Sequence, residues 1–265
     1  MQTGIPLTSD IVFKYVFGSQ ESTRALCSLL SAVQTDAGFP AVESIEIRNP
    51  FNLQRSAIDK QSVVDVRARD VTGRVFTVEV QSERHPGFVE RTLYYWARTY
   101  GVQLAPGDEY DRLDPVVGVN IVDFTFLPEE EGVHSTFALR SRRRPQLELT
   151  GDLILHYLEL PKLIKPDSTR LSRWLYYLER RDEVMAEEDP ILLQILKEDP
   201  EIQDAEARYQ QFVADDALRE RYEGREKFLR DWRSRLKAGR EEGAVEARRQ
   251  TLERQLDRRF GLSDD

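Results

Sequence analysis

The stretch V63-V-D-V-R-A-R-D-V-T-G-R-V-F-T-V-E-V-Q81 decides the fold of this chain. Val63–Ala68 and Val75–Gln81 each alternate apolar and polar residues, the two-residue period of a half-buried strand. Between them, Val71-Thr72-Gly73 is a short connection with glycine in its last place, which suits a type I turn followed by a G1 bulge. Val64, Val66 and Ala68 on one strand, and Phe76, Val78 and Val80 on the other, must share one face against a core. That requirement fixes the register. A turn centred on Thr72 pairs positions whose numbers add to 144. Asp65 then opposes Glu79, and Val63 opposes Gln81, all on the polar face. Directly opposed Cβ atoms lie about 4.5–5.5 Å apart, so the two carboxylates repel unless something neutralises them. A divalent cation does so, and Mg²⁺ is commonly held by one or two carboxylates plus waters and phosphate oxygens. Such an ion polarises a phosphoryl oxygen and lowers the pKa of a bound water. Gln81 points the same way and can orient that water, although it carries no positive charge. The competing reading is an ordinary polar face on a half-solvated sheet.

Outward from the hairpin, the pattern is mixed α/β. Thr8, Ser9 and Asp10 precede Val12, Phe13, Val16 and Phe17, an N-cap cluster before a short amphipathic helix that Gly18 ends. A second helix starts at Ser22 or Thr23, turns Leu26, Leu29, Leu30 and Val33 inward, and closes at Gly38 and Pro40. Val42–Ile47 reads as a strand broken by Asn49-Pro50. Residues 86–104 read as a helix with Val89, Leu93, Trp96 and Tyr100 on one stripe. The apolar run 116–126 is expected of a central strand buried on both faces. Shorter strands follow near 136–139 and 147–149, and 154–160 suits strand or helix. From about Asp167 onward the chain reads as helix, and the Glu/Arg-rich stretch after Glu201 reads as a helical tail or coiled coil. The expected division is a core of residues 1–190 and a helical extension of residues 191–265.

Composition fits this picture. The chain has 265 residues, 40% hydrophobic and 32% charged, the profile of a soluble globular protein. No apolar run approaches the roughly 20 residues of a membrane span. The N-terminal MQTGIPLTSD has neither a basic nor an apolar signal region. Cys27 is the only cysteine, which excludes an internal disulfide and a cysteine-based zinc cluster. These features together lead to the expectation of a cytoplasmic protein. The net charge of −9 does not exclude nucleic acid, because positive groups need only line one cleft.

D-V-R-A at 65–68, E-V-Q at 79–81 and F-V-E-R-T-L-Y-Y-W at 88–96 together resemble the PD-(D/E)XK nuclease family transposases, also called recombination-promoting nucleases. S-D-I-V-F-K-Y-V-F-G at 9–18 and L-E-L-P-K at 158–162 are similar to further parts of that family, in the same order. The resemblance implies a restriction-endonuclease-like α/β fold, with a mixed sheet flanked by helices and a helical C-terminal extension. It also implies a Mg²⁺-dependent DNA endonuclease, with Mn²⁺ or Ca²⁺ as substitutes in vitro, that promotes recombination or mobile-element transfer. Asp65 matches the family's metal-binding aspartate and Glu79 its second acid, and Val80 is counted with them at the metal. Gln81 stands where the wider superfamily has lysine. A catalytically silent DNA- or protein-binding member is the alternative. A third reading makes the helical tail the functional part and the core its platform.

Other residues carry two readings each. Asp10 could approach the metal as an upstream acid, or simply favour the start of its helix, with Lys14 as an exposed i,i+4 partner. Arg91, Tyr94, Tyr95 and Arg98 follow the hairpin at helical spacing and suit phosphate contacts, the alternative being a helix surface with arginine stems packed on aromatics. His85 is read as a loop residue, Cys27 as a core residue and Arg140–Arg144 as a solvated loop. His134 and His156 show no partner in the sequence, and Glu159 and Lys162 suggest a structural pair. In the tail, Phe212, Leu218, Tyr222, Leu229, Trp232 and Leu236 form a narrow apolar stripe that must be buried somewhere. A homodimer to which the tail contributes is therefore expected, since cutting both strands of a duplex suits a twofold assembly.

Overall fold

The computed structural model describes residues 4–48, 65–181 and 189–260. Val63, Val64 and Asn49-Pro50 lie outside the described residues, so the pairing of Val63 with Gln81 is not among the structural findings.

Helices α1 (Asp10–Phe17) and α2 (Thr23–Asp36) come first, then strands β1 (Ile45–Ile47), β2 (Val66–Asp70) and β3 (Val75–Gln81). Helix α3 (Phe88–Gly101) leads to β4 (Val116–Val122), β5 (His134–Ala138) and β6 (Leu153–Glu159). Helices α4 (Arg170–Arg180), α5 (Pro190–Glu198), α6 (Pro200–Ala214) and α7 (Asp216–Phe260) end the described chain. The six described strands form one sheet in the order β1-β2-β3-β4-β6-β5. β3, β4 and β6 are parallel, and the outer strands add antiparallel. The architecture is the mixed sheet flanked by helices that the PD-(D/E)XK fold requires.

The hairpin has the expected register. Val66 pairs Val78, Arg67 pairs Thr77, Ala68 pairs Phe76 and Arg69 pairs Val75. Its turn is locked by Asp70, whose Oδ1 accepts from Thr72 N, Thr72 Oγ1 and Arg74 N. Gly73 has φ +96°, a left-handed conformation that favours glycine, and a Cβ there would meet Asp114 Oδ1 at 2.5 Å. Val66, Ala68, Phe76, Val78 and Val80 are buried. β4 is buried at every position, as a two-sided central strand must be.

Several expectations are corrected. The first strand is shorter than 42–47; Val42 is buried outside it, with its N–H on Ser31 Oγ. Residues 147–149 form no strand and leave only an isolated bridge between Arg140 and Glu148. The ambiguous stretch 154–160 resolves as strand β6, paired on both sides. On α3 the buried positions are Phe88, Thr92 and Thr99, while Val89 and Leu93 are exposed. Thr92 turns inward because buried Asn120 is within hydrogen-bonding distance of its hydroxyl (3.4 Å to Oδ1).

The stripe read across 201–260 is interrupted. α6 ends at Ala214, and Asp215 caps α7 by accepting from Ala217 N and Leu218 N. The chain divides into compact units at Met1–Ala214 and Asp215–Asp265. In the first unit, α6 buries Ile202, Ala205, Tyr209 and Phe212, so packing continues beyond residue 190. Tyr209 Oη also donates to Ile5 O at 2.7 Å. The second unit is described by α7, a single helix in which Phe228, Trp232 and Leu236 are exposed.

Candidate functional site

Asp65 and Glu79 stand one position beyond the last hairpin pair, Val66 with Val78, on the polar face. Asp65 Oδ2 accepts from the backbone N–H of Val80 at 2.8 Å. Burial raises the Asp65 carboxyl above the usual carboxylate range, opposed chiefly by the nearby Lys14 ammonium. Glu79 is pushed up to about 8, first by burial and then by the Asp65 charge, with Arg91 and Lys14 acting against the rise. Val80 thus enters the site through its N–H, as the donor that orients Asp65.

Spacing along the sequence pairs Lys14 with Asp10 on an exposed helix face and keeps it out of the site, yet its Nζ lies 3.1 Å from Asp65 Oδ1, and only 21% of its side chain is exposed. The signal was the i,i+4 spacing of Asp10 and Lys14, which puts both on the face of α1 that reaches the acid pair. Asp10 is close enough for its charge to raise the Asp65 carboxyl. Among the described residues, no three His, Cys, Asp or Glu side chains are gathered closely enough to hold a metal ion by themselves. The donor set still fits a hard cation. Two carboxylates held against mutual repulsion are what Mg²⁺ takes from a protein when waters and phosphate oxygens complete its shell.

Helix α3 begins seven residues after Gln81 and carries the basic and aromatic residues expected beside the acids. The Arg91 guanidinium lies 5.9 Å from the centre of the Phe88 ring, and its Nε and Nη2 are buried with no hydrogen-bond partner among the described residues. Buried orphan donors are costly and call for a partner. Tyr95 lines a small cavity with Glu79, Thr77, Thr92, Trp96 and Asn120. Tyr94 and Arg98 are exposed one turn apart. Arg67 joins them from β2: it shares the acids' face, its Nη2 is 3.4 Å from Thr99 Oγ1, and burial, with the Arg98 charge second, lowers its pKa. The strand alternation that located Asp65 could have located Arg67 too.

Gln81 is half-buried, and its carbonyl accepts from Asp123 N at 2.9 Å at the end of β4. The loop that starts there is clamped by Glu159, the pair partner of Val122. Glu159 Oε2 accepts from Phe126 N and Leu127 N, and Oε1 pairs with Lys162 Nζ at 2.7 Å. Lys162 Nζ also donates to the carbonyls of Leu127 and Glu130. The expected structural pair is therefore a loop clamp, level with Gln81 across the sheet.

The histidines lie elsewhere. His134 Nδ1 is 2.6 Å from Asp36, His134 Nε2 is 2.9 Å from His156 Nδ1, and His156 Nε2 is 2.8 Å from Gln34. Burial drives His156 down to about 3. His85 is exposed in the loop before α3. Arg140 pairs with Glu148, and Arg142, Arg143 and Arg144 are exposed. Cys27 is half-buried, and its thiol donates to Val42 O.

A mixed sheet, an acid-bearing hairpin and a basic helix after it define an α/β protein of the PD-(D/E)XK class. The chain belongs to the PD-(D/E)XK nuclease family transposases, whose family model matches residues 7–239. That membership gives it a nuclease- or recombination-related role. No curated protein and no solved structure matches the chain. No described helix is long and apolar enough to cross a membrane.

Proposed function

We propose that this protein is a divalent-metal-dependent DNA endonuclease that hydrolyses phosphodiester bonds and promotes recombination or mobile-element transfer. The carrying observation is the acid pair: Glu79 pushed up to about 8 by burial and by Asp65, with Arg91 and its orphan donors alongside. Asp65 and Glu79 would hold Mg²⁺, or Mn²⁺ or Ca²⁺ in vitro, with the backbone of Val80 between them and Asp10 as an upstream acid. The ion's contribution is to polarise a phosphoryl oxygen and acidify a water. Gln81 orients that water from the same strand face. Arg91 offers Nε and Nη2 to the phosphodiester, while Tyr94, Tyr95, Arg98 and Arg67 extend the contact along the backbone.

The test is nicking of supercoiled plasmid by the full chain with and without Mg²⁺. Metal-dependent nicking supports the reading; no cutting of plasmid, linear duplex or single strand with any of the three ions overturns it. A silent binding member is the second reading, favoured by one observation: Lys14 already neutralises Asp65. Plasmid retarded in a gel but never cut would support it. We also propose a homodimer in which α7 takes part. Phe228, Trp232 and Leu236 recur every four residues, are exposed, and have no second described element in their own unit to pack on. Light scattering on the full chain at micromolar concentration checks it, and a monomer there would rule it out.

A further inference from the structure

We infer that Lys14 supplies the positive charge missing from the hairpin: its ammonium guards Asp65 in the metal-free protein and meets the scissile phosphate when a cation takes Asp65. The inference rests on the nuclease reading above.

At the acids' end of the hairpin face, Asp65, Glu79 and Gln81 are two acids and an amide; the cation of that face, Arg67, stands two residues along and has its Nη2 3.4 Å from Thr99 Oγ1. Hydrolysis places developing negative charge on the non-bridging phosphate oxygens, and fixed positive groups aimed at that charge are a large source of rate. Arg91 is one such group. Lys14 is the other within reach, 3.1 Å from Asp65 Oδ1 and mostly screened from solvent.

Its backbone is also held. On one side of it, Phe13 meets Phe17 at 4.7 Å with tilted rings, and Phe17 meets Trp174 at 5.9 Å. On the other, Tyr15 meets Phe212 at 5.4 Å and lies under the Arg208 guanidinium at 4.4 Å. Only the four-carbon stem of Lys14 is free to change rotamer. Nζ is therefore tethered to a fixed point, and its choice of partner depends on which anion is available.

A divalent ion held by Asp65 would repel the ammonium at such short range, even with substantial screening. Nζ would then be released from Asp65 to meet the phosphate of the bound substrate. Water oxygen bonds to phosphorus and releases a proton to solvent, the bond from phosphorus to the leaving oxygen breaks with its electron pair on that oxygen, which takes up a proton from solvent, and the ammonium hydrogen-bonds a non-bridging oxygen.

The test compares full-length wild type, Lys14→Met and Lys14→Met/Gln81→Lys. Two readouts are used: plasmid cleavage, and Mn²⁺ affinity by calorimetry without DNA. Lys14→Met should lose about 10²-fold in cleavage. Its Mn²⁺ affinity should hold or tighten several-fold, because a competing cation is gone. The double variant returns an ammonium to the acids' face and should recover at least about tenfold of the lost rate. A purely structural lysine predicts the opposite metal result, since Asp65 would lose its orienting partner and Mn²⁺ binding would fall. Lys14→Met cleaving within about threefold of wild type would overturn the inference and leave the nuclease reading standing, as would lost Mn²⁺ binding in Lys14→Met. Absence of cleavage by wild type would overturn both.

Discussion

Glu79 and Glu159 sit near the ends of parallel strands β3 and β6, with β4 between them, and each is placed against a lysine or a second acid. Their treatment differs. Glu159 receives two backbone N–H groups and an ammonium, and nothing in its surroundings asks for a ligand. Glu79 faces another acid, and burial and that acid raise it to about 8. A buried carboxylate with both oxygens answered is part of the architecture. One placed in conflict is a site, because the conflict is relieved only by something that arrives.

The largest effect that follows is on chemistry. Asp65→Ala and Glu79→Ala should each lower metal-dependent plasmid cleavage by about 10³-fold or more, roughly 4 kcal/mol of barrier, while circular dichroism stays native. If either retains the wild-type rate and metal requirement, the contrast drawn between the two glutamates is wrong.

Glu159→Ala should act on stability. It leaves the Lys162 ammonium with only the Leu127 and Glu130 carbonyls and the N–H groups of Phe126 and Leu127 without their acceptor, which costs about 3–5 kcal/mol for a broken buried pair. Urea denaturation would show it, and a loss below 1 kcal/mol would mean the clamp is ornamental. Glu79→Ala in the metal-free protein should instead be neutral or stabilising.

The pH dependence sharpens the same contrast. Glu79 titrates higher folded than unfolded, so its contribution favours the fold below about pH 4.5 and fades as pH rises through about 8. His156 behaves in the opposite sense. Held down to about 3, it favours the fold above pH 6.5 and loses that contribution as pH falls, by roughly 1.4 kcal/mol per unit. Denaturation across pH 5 to 8, with and without Mg²⁺, should show an alkaline decline that the metal or Glu79→Ala removes. An alkaline decline unchanged in Glu79→Ala would assign it to other groups.

The smallest effect concerns DNA. Arg91→Ala should weaken binding and lower the salt slope by about one, without altering sequence preference. An unchanged slope would mark Arg91 as a helix-packing residue.

The hairpin and its acids were legible because alternation, one glycine and a buried face leave a single register. Lys14 was not, because its partner is 51 positions away and a local one, Asp10, satisfied the spacing. The inward face of α3 was misread because the apolar choice, Val89 and Leu93, was the obvious one; only the structure reveals Asn120 behind Thr92. The link between His134 and His156 needed the pairing of β5 with β6. Each miss is a contact between polar groups distant in sequence, which periodicity does not encode.

The Asp70 turn has a bearing on chemistry it never touches. It counts residues for the two strands, and the acids lie five positions from it along each, on the order of 17 Å away at the rise of a strand. Inserting one residue between Thr72 and Gly73 would leave every acid in the sequence and every strand in the sheet. If β2 keeps its core face, the pairing of β3 moves by one step, and Glu79 and Gln81 exchange places with Val78 and Val80 against the interior. The tip of the hairpin therefore works as the ruler of the site. Sequence changes at this exposed bend deserve the same scrutiny as changes at the acids, since a variant altered there would look intact in composition and be silent in function.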